Sequence, residues 1–214
     1  MTSNQSFSGI HNAVERYYTG KITEHGATPR GVDWKDRGSH DLRHHQFLRL
    51  IDNDAGASIG DLGCGFGDFL GYMRRHGHTG DFIGYDLSDA MLDAAREKHG
   101  ESDHIRWIRS SAPTERTDYV TASGLFNVRG DFDDETWRGY LFETLDGMAN
   151  AARKAFAFNV LSLHSDPEFR RPDLFYANPA EMLETCARRY SRHVAILQDT
   201  RLYEFTLMVR LSID

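Results

Sequence analysis

A glycine-rich turn is the clearest sign of chemistry in this sequence. The apolar run 59–62 includes Asp61 and is followed by Gly63, Gly65 and Gly67 at alternate positions. Glycine lets the backbone turn tightly after a strand and approach a ligand more closely than a side chain would permit. The turn therefore predicts a site for a nucleotide-like ligand.

A second acidic residue supports that interpretation. Asp86 ends the next apolar run, 82–85. A carboxylate at the end of a second strand can accept hydrogen bonds from both hydroxyls of a ribose. The alternative is a tight strand-to-helix turn that binds no ligand, but Gly63, Gly65 and Asp86 together favour ligand binding.

Alternating strand and helix patterns position these two motifs. The predicted strands cover residues 58–62, 82–85, 105–108, 119–122, 155–161, 194–198 and 203–211. Ser88 and Asn178 are the predicted N-caps of two helices between them, and a longer helix is predicted to follow Asp133. The last two strands are joined by a short turn and should pair as an antiparallel hairpin. The sequence therefore predicts an α/β three-layer sandwich with a seven-stranded, mostly parallel sheet that ends in this hairpin.

The region before the sheet has a different pattern. Ile10 and Val14 fall at helical spacing, residues 26–38 are rich in turn formers, and Ser39 can cap a second helix. We expect a helical lid over residues 1–54 and a core over residues 55–214. With 214 residues and 40% apolar content, the chain can bury one sizeable core, so we expect 1–214 to be a single domain.

The glycine spacing separates two kinds of nucleotide-binding turn. A dinucleotide-binding turn would have its third glycine at position 68, which is Asp68, whereas here it comes at Gly67. Asp61 also lies two residues before Gly63. Both details resemble the first motif of class I, Rossmann-like S-adenosylmethionine-dependent methyltransferases. With the predicted strands and hairpin, the resemblance covers residues 55–212.

The resemblance implies roles for the residues around both motifs. Asp61 would contact the amino-acid part of S-adenosylmethionine, and Asp86 would hold its ribose. Leu87 and Met91 would flank the adenine, although ordinary core packing explains them equally well. The implied cofactor-binding residues are Tyr18, Asp61, Gly63, Cys64, Gly65, Asp86, Leu87, Met91, Ser110, Ser111 and Ser123.

Two pairs of neighbouring residues, Ser110 with Ser111 and Tyr17 with Tyr18, need separate comment. Ser110 and Ser111 stand where relatives frequently have an acid that receives the adenine amino group. Tyr17 and Tyr18 resemble an aromatic pair that closes over the cofactor, where a tyrosine face favours the sulfonium charge. Core packing of one tyrosine is the alternative.

Candidate catalytic residues follow from position. Methyl transfer from a sulfonium is an in-line displacement, which needs alignment and exclusion of water, and a base only when the acceptor loses a proton. His164 lies just past the fifth strand, and its near-neutral titration suits a base. Asn127, after the fourth strand, could orient the acceptor. The alternative for His164 is an exposed loop histidine with no catalytic role. The alternative for Asn127 is a side chain that only makes hydrogen bonds within its loop.

Two loops carry candidate acceptor-binding residues. The loop 26–34 holds a cation and a tryptophan, and the segment 164–179 holds arginines that could meet an anionic acceptor. Solvated surface is the alternative for these charges. The predicted acceptor-binding residues are Tyr17, Arg30, Trp34, Arg170 and Tyr176.

Composition disfavours other partners. Twenty-five basic and thirty-two acidic residues give a net charge of −7, which would repel nucleic acid. No stretch reaches the roughly 20 apolar residues that span a membrane, and we expect a cytoplasmic protein. Cys64 and Cys186 lie far apart and suggest no disulfide. The histidines, including His44 and His45, have no cysteine or carboxylate at metal-binding spacing, so we predict no metal.

These observations favour methyl transfer to a small polar molecule, with an oxygen of a sugar or acid as the acceptor atom. Residues 123–128 lack the Asn/Asp-Pro-Pro-aromatic signature of many enzymes that methylate amino nitrogens. Two alternatives stay open: a regulatory subunit that binds the cofactor without catalysis, and an NAD(P)-dependent oxidoreductase. The glycine spacing and the lack of a Tyr-x-x-x-Lys motif disfavour the oxidoreductase. We expect a monomer or a homodimer.

Overall fold

A computed structural model describes residues 7–32, 36–51 and 54–212. Within these ranges the α-helices are α1 (Ser8–His25), α2 (Arg37–Leu48), α3 (Asp68–Arg75), α4 (Asp89–His99), α5 (Asp134–Ala151) and α6 (Pro179–Arg189). The strands are β1 (Ile59–Leu62), β2 (Phe82–Asp86), β3 (Ile105–Arg109), β4 (Thr117–Ala122), β5 (Ala152–Ser162), β6 (Tyr176–Ala177), β7 (Val194–Leu197) and β8 (Glu204–Arg210). Short 3-10 helices cover Pro29–Val32, Arg49–Ile51 and Pro167–Phe169.

The strands form one mixed sheet in the order β3–β2–β1–β4–β5–β8–β7, and β6 pairs with β5 outside this order. Strands β1 to β5 pair in parallel with their neighbours, whereas β8 runs antiparallel between β5 and β7. Apolar side chains form separate buried clusters, the larger two packed on the sheet. The predicted α/β fold with a terminal antiparallel hairpin is confirmed.

Strand β6 is an eighth strand where we predicted seven. Tyr176 pairs in parallel with Leu161, and Ala177 pairs with Ser162. Two residues are too few to show the alternating pattern by which a strand is recognised in a sequence. Through this pairing, the segment that follows β5 returns to the end of β5 and is held there by β6.

The predicted N-caps of α4 and α6 are confirmed, and Asp133 is the N-cap of α5, the helix predicted to follow it. Side-chain oxygens of Ser88, Asp133 and Asn178 accept hydrogen bonds from the backbone N–H groups of Met91, Thr136 and Ala180. One face of α5 lies in the core and carries Trp137, Leu141, Leu145 and Met148. Each cap satisfies a backbone donor that the helix itself leaves unpaired.

The predicted cap of α2 is wrong. Asp36, and not Ser39, is the N-cap, and its Oδ1 accepts a hydrogen bond from the Ser39 N–H at 2.8 Å. Asp36 has the extended backbone that a capping residue needs, so the helix begins two residues before Ser39. The third residue of a helix commonly donates its backbone N–H to such a cap.

The site of ligand binding follows from the strand order. The order reverses between β1 and β4, because β2 lies on one side of β1 and β4 on the other. In open α/β sheets, ligands bind at such a switch point, in the crevice outside the carboxyl ends of the strands. The glycine-rich turn follows β1 at this end of the sheet.

Helices α1 and α2 contact this same end of the sheet. Thr19 of α1 lies 2.7 Å, hydroxyl to hydroxyl, from Ser88, which follows β2. The Nε of Arg43 in α2 donates to Glu204 at 2.8 Å, at the start of antiparallel β8. The start of β8 lies beside the carboxyl end of β5, so both helices are held over the crevice.

Candidate active site

The turn after β1 accepts only glycine at its central positions. Gly63 has φ +72° and Gly65 has φ +53°, a left-handed conformation that side chains disfavour. A Cβ at Gly63 would lie 3.0 Å from Leu125 Cδ1, and one at Gly65 would lie 3.1 Å from Val32 Cγ1. The missing side chains therefore keep a narrow space open between the turn and its neighbours.

Asp86 binds this turn from the end of β2. Its Oδ2 accepts a hydrogen bond from the Gly65 N–H at 2.9 Å, and its Oδ1 accepts one from the Ser88 N–H at 2.9 Å. Burial raises the pKa of Asp86, although these backbone hydrogen bonds oppose the rise. Each carboxylate oxygen has a further lone pair, so the side chain can still accept hydrogen bonds from two ligand hydroxyls.

Asp61 at the end of β1 is more deeply buried. Only 3% of it is exposed, and its Oδ1 accepts a hydrogen bond from the Thr121 hydroxyl at 2.7 Å. Burial raises its pKa to about 7, the hydrogen bond from Thr121 opposes this, and the charge of Asp86 adds to it. A cationic group of a ligand beside Asp61 would stabilise its ionised form.

One pocket contains both acids and the turn. Its empty volume, including space open to solvent, is about 870 Å³. All eleven predicted cofactor-binding residues line it, namely Tyr18, Asp61, Gly63, Cys64, Gly65, Asp86, Leu87, Met91, Ser110, Ser111 and Ser123. The tertiary structure thus brings together residues from α1, the glycine turn and the ends of β2, β3 and β4.

Comparison of the sequence with known proteins shows the family to which the chain belongs. A family model described as a methyltransferase domain matches residues 59–146. Rv1506c of Mycobacterium tuberculosis, named as a candidate methyltransferase, is 39% identical over 163 residues, which cover 76% of this chain and 98% of the relative. The chain belongs to the class I S-adenosylmethionine-dependent methyltransferases.

Solved structures share the fold of this methyltransferase. The magnesium protoporphyrin IX methyltransferase of Synechocystis PCC 6803, solved with S-adenosylhomocysteine, superposes with a TM-score of 0.70 at 13% identity, covering 94% of this chain and 99% of that one. The complex of DhpI with S-adenosylhomocysteine gives 0.63 at 16% identity, covering 94% and 96%. At these identities the likeness concerns the fold alone.

The pocket of the methyltransferase fits S-adenosylmethionine. The cofactor has a cationic amino group and a ribose with two hydroxyls, and the pocket offers carboxylates at the ends of two neighbouring strands, Asp61 and Asp86. The space at Gly63 and Gly65, which a Cβ would fill, lets a ligand pass beside the backbone. These four residues are therefore positioned to hold the cofactor.

The two predicted catalytic residues do not line this pocket. His164 is exposed in the segment after β5, where its backbone N–H donates to the Ser162 hydroxyl at 3.0 Å. Asn127 is 6% exposed, and its Oδ1 has no hydrogen-bond partner among the described residues. The carbonyl of Asn127 accepts from the Phe175 N–H at 2.9 Å, which joins the loop after β4 to the segment before β6.

The predicted acceptor-binding residues of the 164–179 segment also lie outside the pocket. Arg170 bends back on its own segment, where its Nε donates to the Ser165 carbonyl at 3.0 Å and its Nη2 donates to the Leu163 carbonyl. The Tyr176 hydroxyl accepts from the Arg171 N–H at 3.0 Å. Both side chains thus stabilise the segment itself.

The remaining predicted residues have varied surroundings. Tyr17 is half-buried and packs edge-on against Tyr18, with ring centroids 5.1 Å apart, but only Tyr18 lines the pocket. Arg30 is exposed on a 3-10 helix. Trp34 lies outside the described residues.

Several polar residues of the pocket wall were not predicted from the sequence, among them His40, His44 and Asp68. His40 and His44 come from α2, and Asp68 is the first residue of α3. The two histidines are four apart, so they share a helix face, a signal that was visible in the sequence. Asp68 joins them only because α2 packs against α3, and it lies too far from them in the sequence for the spacing to indicate the contact.

Burial and the neighbouring charged groups determine which of these three side chains are ionised. Burial lowers the pKa of His40 to about 4 and lowers that of His44 well below its usual value. Burial alone would raise the pKa of Asp68, but the hydrogen bond and charge of Lys98, with the charges that His40 and His44 carry when protonated, lower it to about 2. At neutral pH this wall therefore presents two neutral imidazoles and one carboxylate.

Proposed function

We propose that this methyltransferase transfers the methyl group of S-adenosylmethionine to an oxygen of a small polar molecule, such as a sugar or an acid. The observation that carries this proposal is a single pocket that contains every predicted cofactor-binding residue and, beyond them, a separate polar wall on α2 and α3. That wall is available for an acceptor. The net charge of −7 argues against a nucleic-acid acceptor.

In this proposal the cofactor is held at both of its polar ends. Asp61, in its ionised form, pairs with the amino group of the methionine part, and Asp86 accepts hydrogen bonds from the ribose hydroxyls. Leu87 and Met91 flank the adenine, with Ser110 and Ser111 beside them on the pocket wall. The backbone of the glycine turn supplies the close contact between these ends.

The chain aligns the reactants and excludes water. When bound, the cofactor supplies an electrophilic methyl group on a sulfonium. Tyr18 and Val32 cover the turn from the N-terminal segment, and Leu125 covers it from the loop after β4. We therefore propose that residues 1–54 act as a lid on the core of 55–214, and that 1–214 works as a single domain.

The predicted catalytic and acceptor-binding side chains outside the pocket stay predictions. His164 could act as a base, and Arg170 and Tyr176 could bind the acceptor, only if the segment after β5 moved toward the pocket. Asn127 is nearer in the chain to the pocket-lining residues Gly124 and Leu125. The assignments of Tyr17, Arg30 and Trp34 likewise stay predictions.

Location and assembly are part of the same proposal. Cys64 and Cys186 are both buried and unpaired, which agrees with a reducing compartment such as the cytoplasm. None of the helices in the described ranges combines the length and apolar character needed to span a bilayer. We propose a monomer or a homodimer.

Calorimetric titration tests the cofactor site first. Wild-type protein and the Asp86→Asn and Asp93→Asn variants are titrated with S-adenosylmethionine and, separately, with NADH. Asp93 is the matched control, because it is an exposed acid on α4 outside the pocket. We expect the wild type and Asp93→Asn to bind S-adenosylmethionine alone, and Asp86→Asn to lose most of the affinity. Binding of NADH instead would overturn the proposal.

Transfer itself is tested with a cofactor that carries an isotopically labelled methyl group. Panels of sugars, organic acids and phenols are incubated with enzyme and labelled cofactor, and the products are examined by mass spectrometry. Label on an oxygen is the expected result. Tight cofactor binding with no transfer to any acceptor would support the non-catalytic alternative, and label on nitrogen or carbon would correct the acceptor atom.

A further inference from the structure

His40, His44 and Asp68 form a compact cluster on the wall of the cofactor pocket, hereafter the His–His–Asp cluster. At most 4% of each residue is exposed. The two imidazole rings have centroids 4.4 Å apart. One nitrogen from each histidine and one oxygen of Asp68 all lie within 4.8 Å of one another. Three donors of metal-binding type therefore meet at one place.

The carboxylate of Asp68 is oriented by two cations. Its Oδ1 accepts hydrogen bonds from Lys98 Nζ at 2.7 Å and from Arg37 Nη1 at 3.1 Å. Its Oδ2 faces the imidazoles, 3.3 Å from Nδ1 of His40, and makes no hydrogen bond among the described residues. Metal-binding carboxylates are commonly held in this way, with outer partners on one oxygen and the ion on the other.

His44 supplies an independent reason to expect a ligand. It is 2% exposed, and its Nδ1 has no hydrogen-bond partner among the described residues. A pairing between His40 and Asp68 would leave this buried nitrogen unsatisfied, which costs free energy. An ion bound between the two helices would satisfy both Nδ1 of His44 and Oδ2 of Asp68.

The separations suit a small divalent ion. In a tetrahedral zinc site with bonds of about 2.0–2.1 Å, neighbouring ligand atoms lie about 3.3 Å apart. The distance from Nδ1 of His40 to Oδ2 of Asp68 is also 3.3 Å. The other separations, up to 4.8 Å, would close by small side-chain rotations. Two imidazoles favour zinc or a similar transition ion, whereas Mg²⁺ prefers oxygen ligands.

We propose that His40, His44 and Asp68 bind a divalent transition-metal ion, with Zn²⁺ as the best-fitting ion. Three protein ligands leave a fourth position open, as in catalytic zinc sites. That position faces the pocket and takes a water or an oxygen of the acceptor. Only this last role rests on the proposed methyl-transfer function, since ion binding requires the cluster alone.

The test uses full-length protein without a polyhistidine tag, after treatment with a chelator. Co²⁺, whose four-coordinate complexes absorb visible light strongly, is titrated in the absence of S-adenosylmethionine. We expect one Co²⁺ per chain with the spectrum of a four-coordinate site, displaced by Zn²⁺. Absence of stoichiometric binding to the wild type would overturn the proposal.

Matched variants show whether the cluster is the site. His44→Ala and Asp68→Asn should each weaken Co²⁺ binding by more than about 100-fold, beyond the loss typical for an outer partner. His45→Ala is the control, because His45 is the exposed neighbour on the same helix. Circular dichroism checks that each variant folds. Equal Co²⁺ binding by His44→Ala and the wild type would contradict the assignment.

The same samples separate this proposal from the proposed function. Normal cofactor binding with no Co²⁺ site would overturn the metal proposal alone. A Co²⁺ site in a protein that does not bind S-adenosylmethionine would overturn the proposed function and leave the metal proposal standing.

Discussion

Arg43 of α2 and Glu204 of β8 form an ion pair in the interior, with Nε and Oε2 separated by 2.8 Å and less than a tenth of either side chain exposed. Asn159 of β5 extends this contact, since its Nδ2 donates to Glu204 at 3.1 Å and its Oδ1 accepts from the Gly124 N–H at 2.6 Å. A buried chain of polar contacts therefore joins α2 to the loop after β4 that lines the cofactor pocket.

Removing the cation from this pair should destabilise the protein strongly. Arg43→Met leaves Glu204 buried without its partner, and burial already raises the pKa of Glu204. We expect the free energy of unfolding to fall by roughly 3–5 kcal/mol, as measured by urea denaturation. The double variant Arg43→Met/Glu204→Leu should regain much of the loss, because it removes the unpaired charge. A double variant as unstable as the single one would contradict this explanation.

Cofactor affinity should depend on pH through Asp61. Its pKa is raised from 3.8 to about 7 by burial, whereas the ion pair with a cationic amino group requires the ionised form. The Kd for S-adenosylmethionine should therefore rise as pH falls below about 7, with proton release on binding near pH 6.5. Calorimetry in two buffers with different ionisation enthalpies measures that release. Asp61→Asn should show a smaller release, and an unchanged one would count against this assignment.

The same pKa shift predicts the pH dependence of stability without cofactor. Between pH 3.8 and about 7 the folded state keeps a proton on Asp61 that the unfolded state has lost. The contribution of Asp61 to the free energy of unfolding must therefore decrease as pH rises through this window. Urea denaturation of the wild type and of Asp61→Asn across these pH values measures the free energy of unfolding of each protein. The difference between the two values should become smaller toward pH 4. A difference that stays constant would show that Asp61 titrates normally.

Alanine at Gly65 should impair both folding and cofactor binding. The backbone there has φ +53°, and a Cβ would lie 3.1 Å from Val32. We expect a loss of stability of about 1–3 kcal/mol and cofactor binding weakened by about tenfold or more, which corresponds to about 1.4 kcal/mol. Gly147→Ala is the control, since no atom lies within 4 Å of a Cβ there. Equal affinities of the two variants would show that the turn tolerates a side chain.

The neighbouring tyrosines of α1 should differ in their effect on cofactor affinity. Tyr18 lines the pocket and Tyr17 does not. If the Tyr18 ring faces the sulfonium, Tyr18→Ala should lose about 0.5–2 kcal/mol of binding free energy, while Tyr18→Phe keeps most of it. Tyr17→Ala should bind almost as well as the wild type. The comparison is made by titration with S-adenosylmethionine, and a larger effect at Tyr17 would reverse the assignment.

Features that depend on neighbours in sequence could be predicted from the sequence alone. The caps at Ser88, Asp133 and Asn178 were predictable because a capping side chain bonds to backbone two or three residues away. The glycine turn and Asp86 were predictable for a similar reason, since the turn directly follows β1 and Asp86 is the last residue of β2. Parallel strands end at one edge of a sheet, so the residues at those ends had to meet.

Contacts between distant segments were decided by the tertiary structure alone. Nothing in the sequence pairs Arg43 with Glu204, and nothing brings Asp68 to His40, because helix packing makes those contacts. The position of Arg170 after β5 suggested the active site, but hydrogen bonds to backbone carbonyls keep its side chain on its own segment. The sequence thus determined the cofactor side of the pocket, where local turns set the geometry. Packing of α2 against α3 and β8 decided the part of the pocket wall that His40, His44 and Asp68 form.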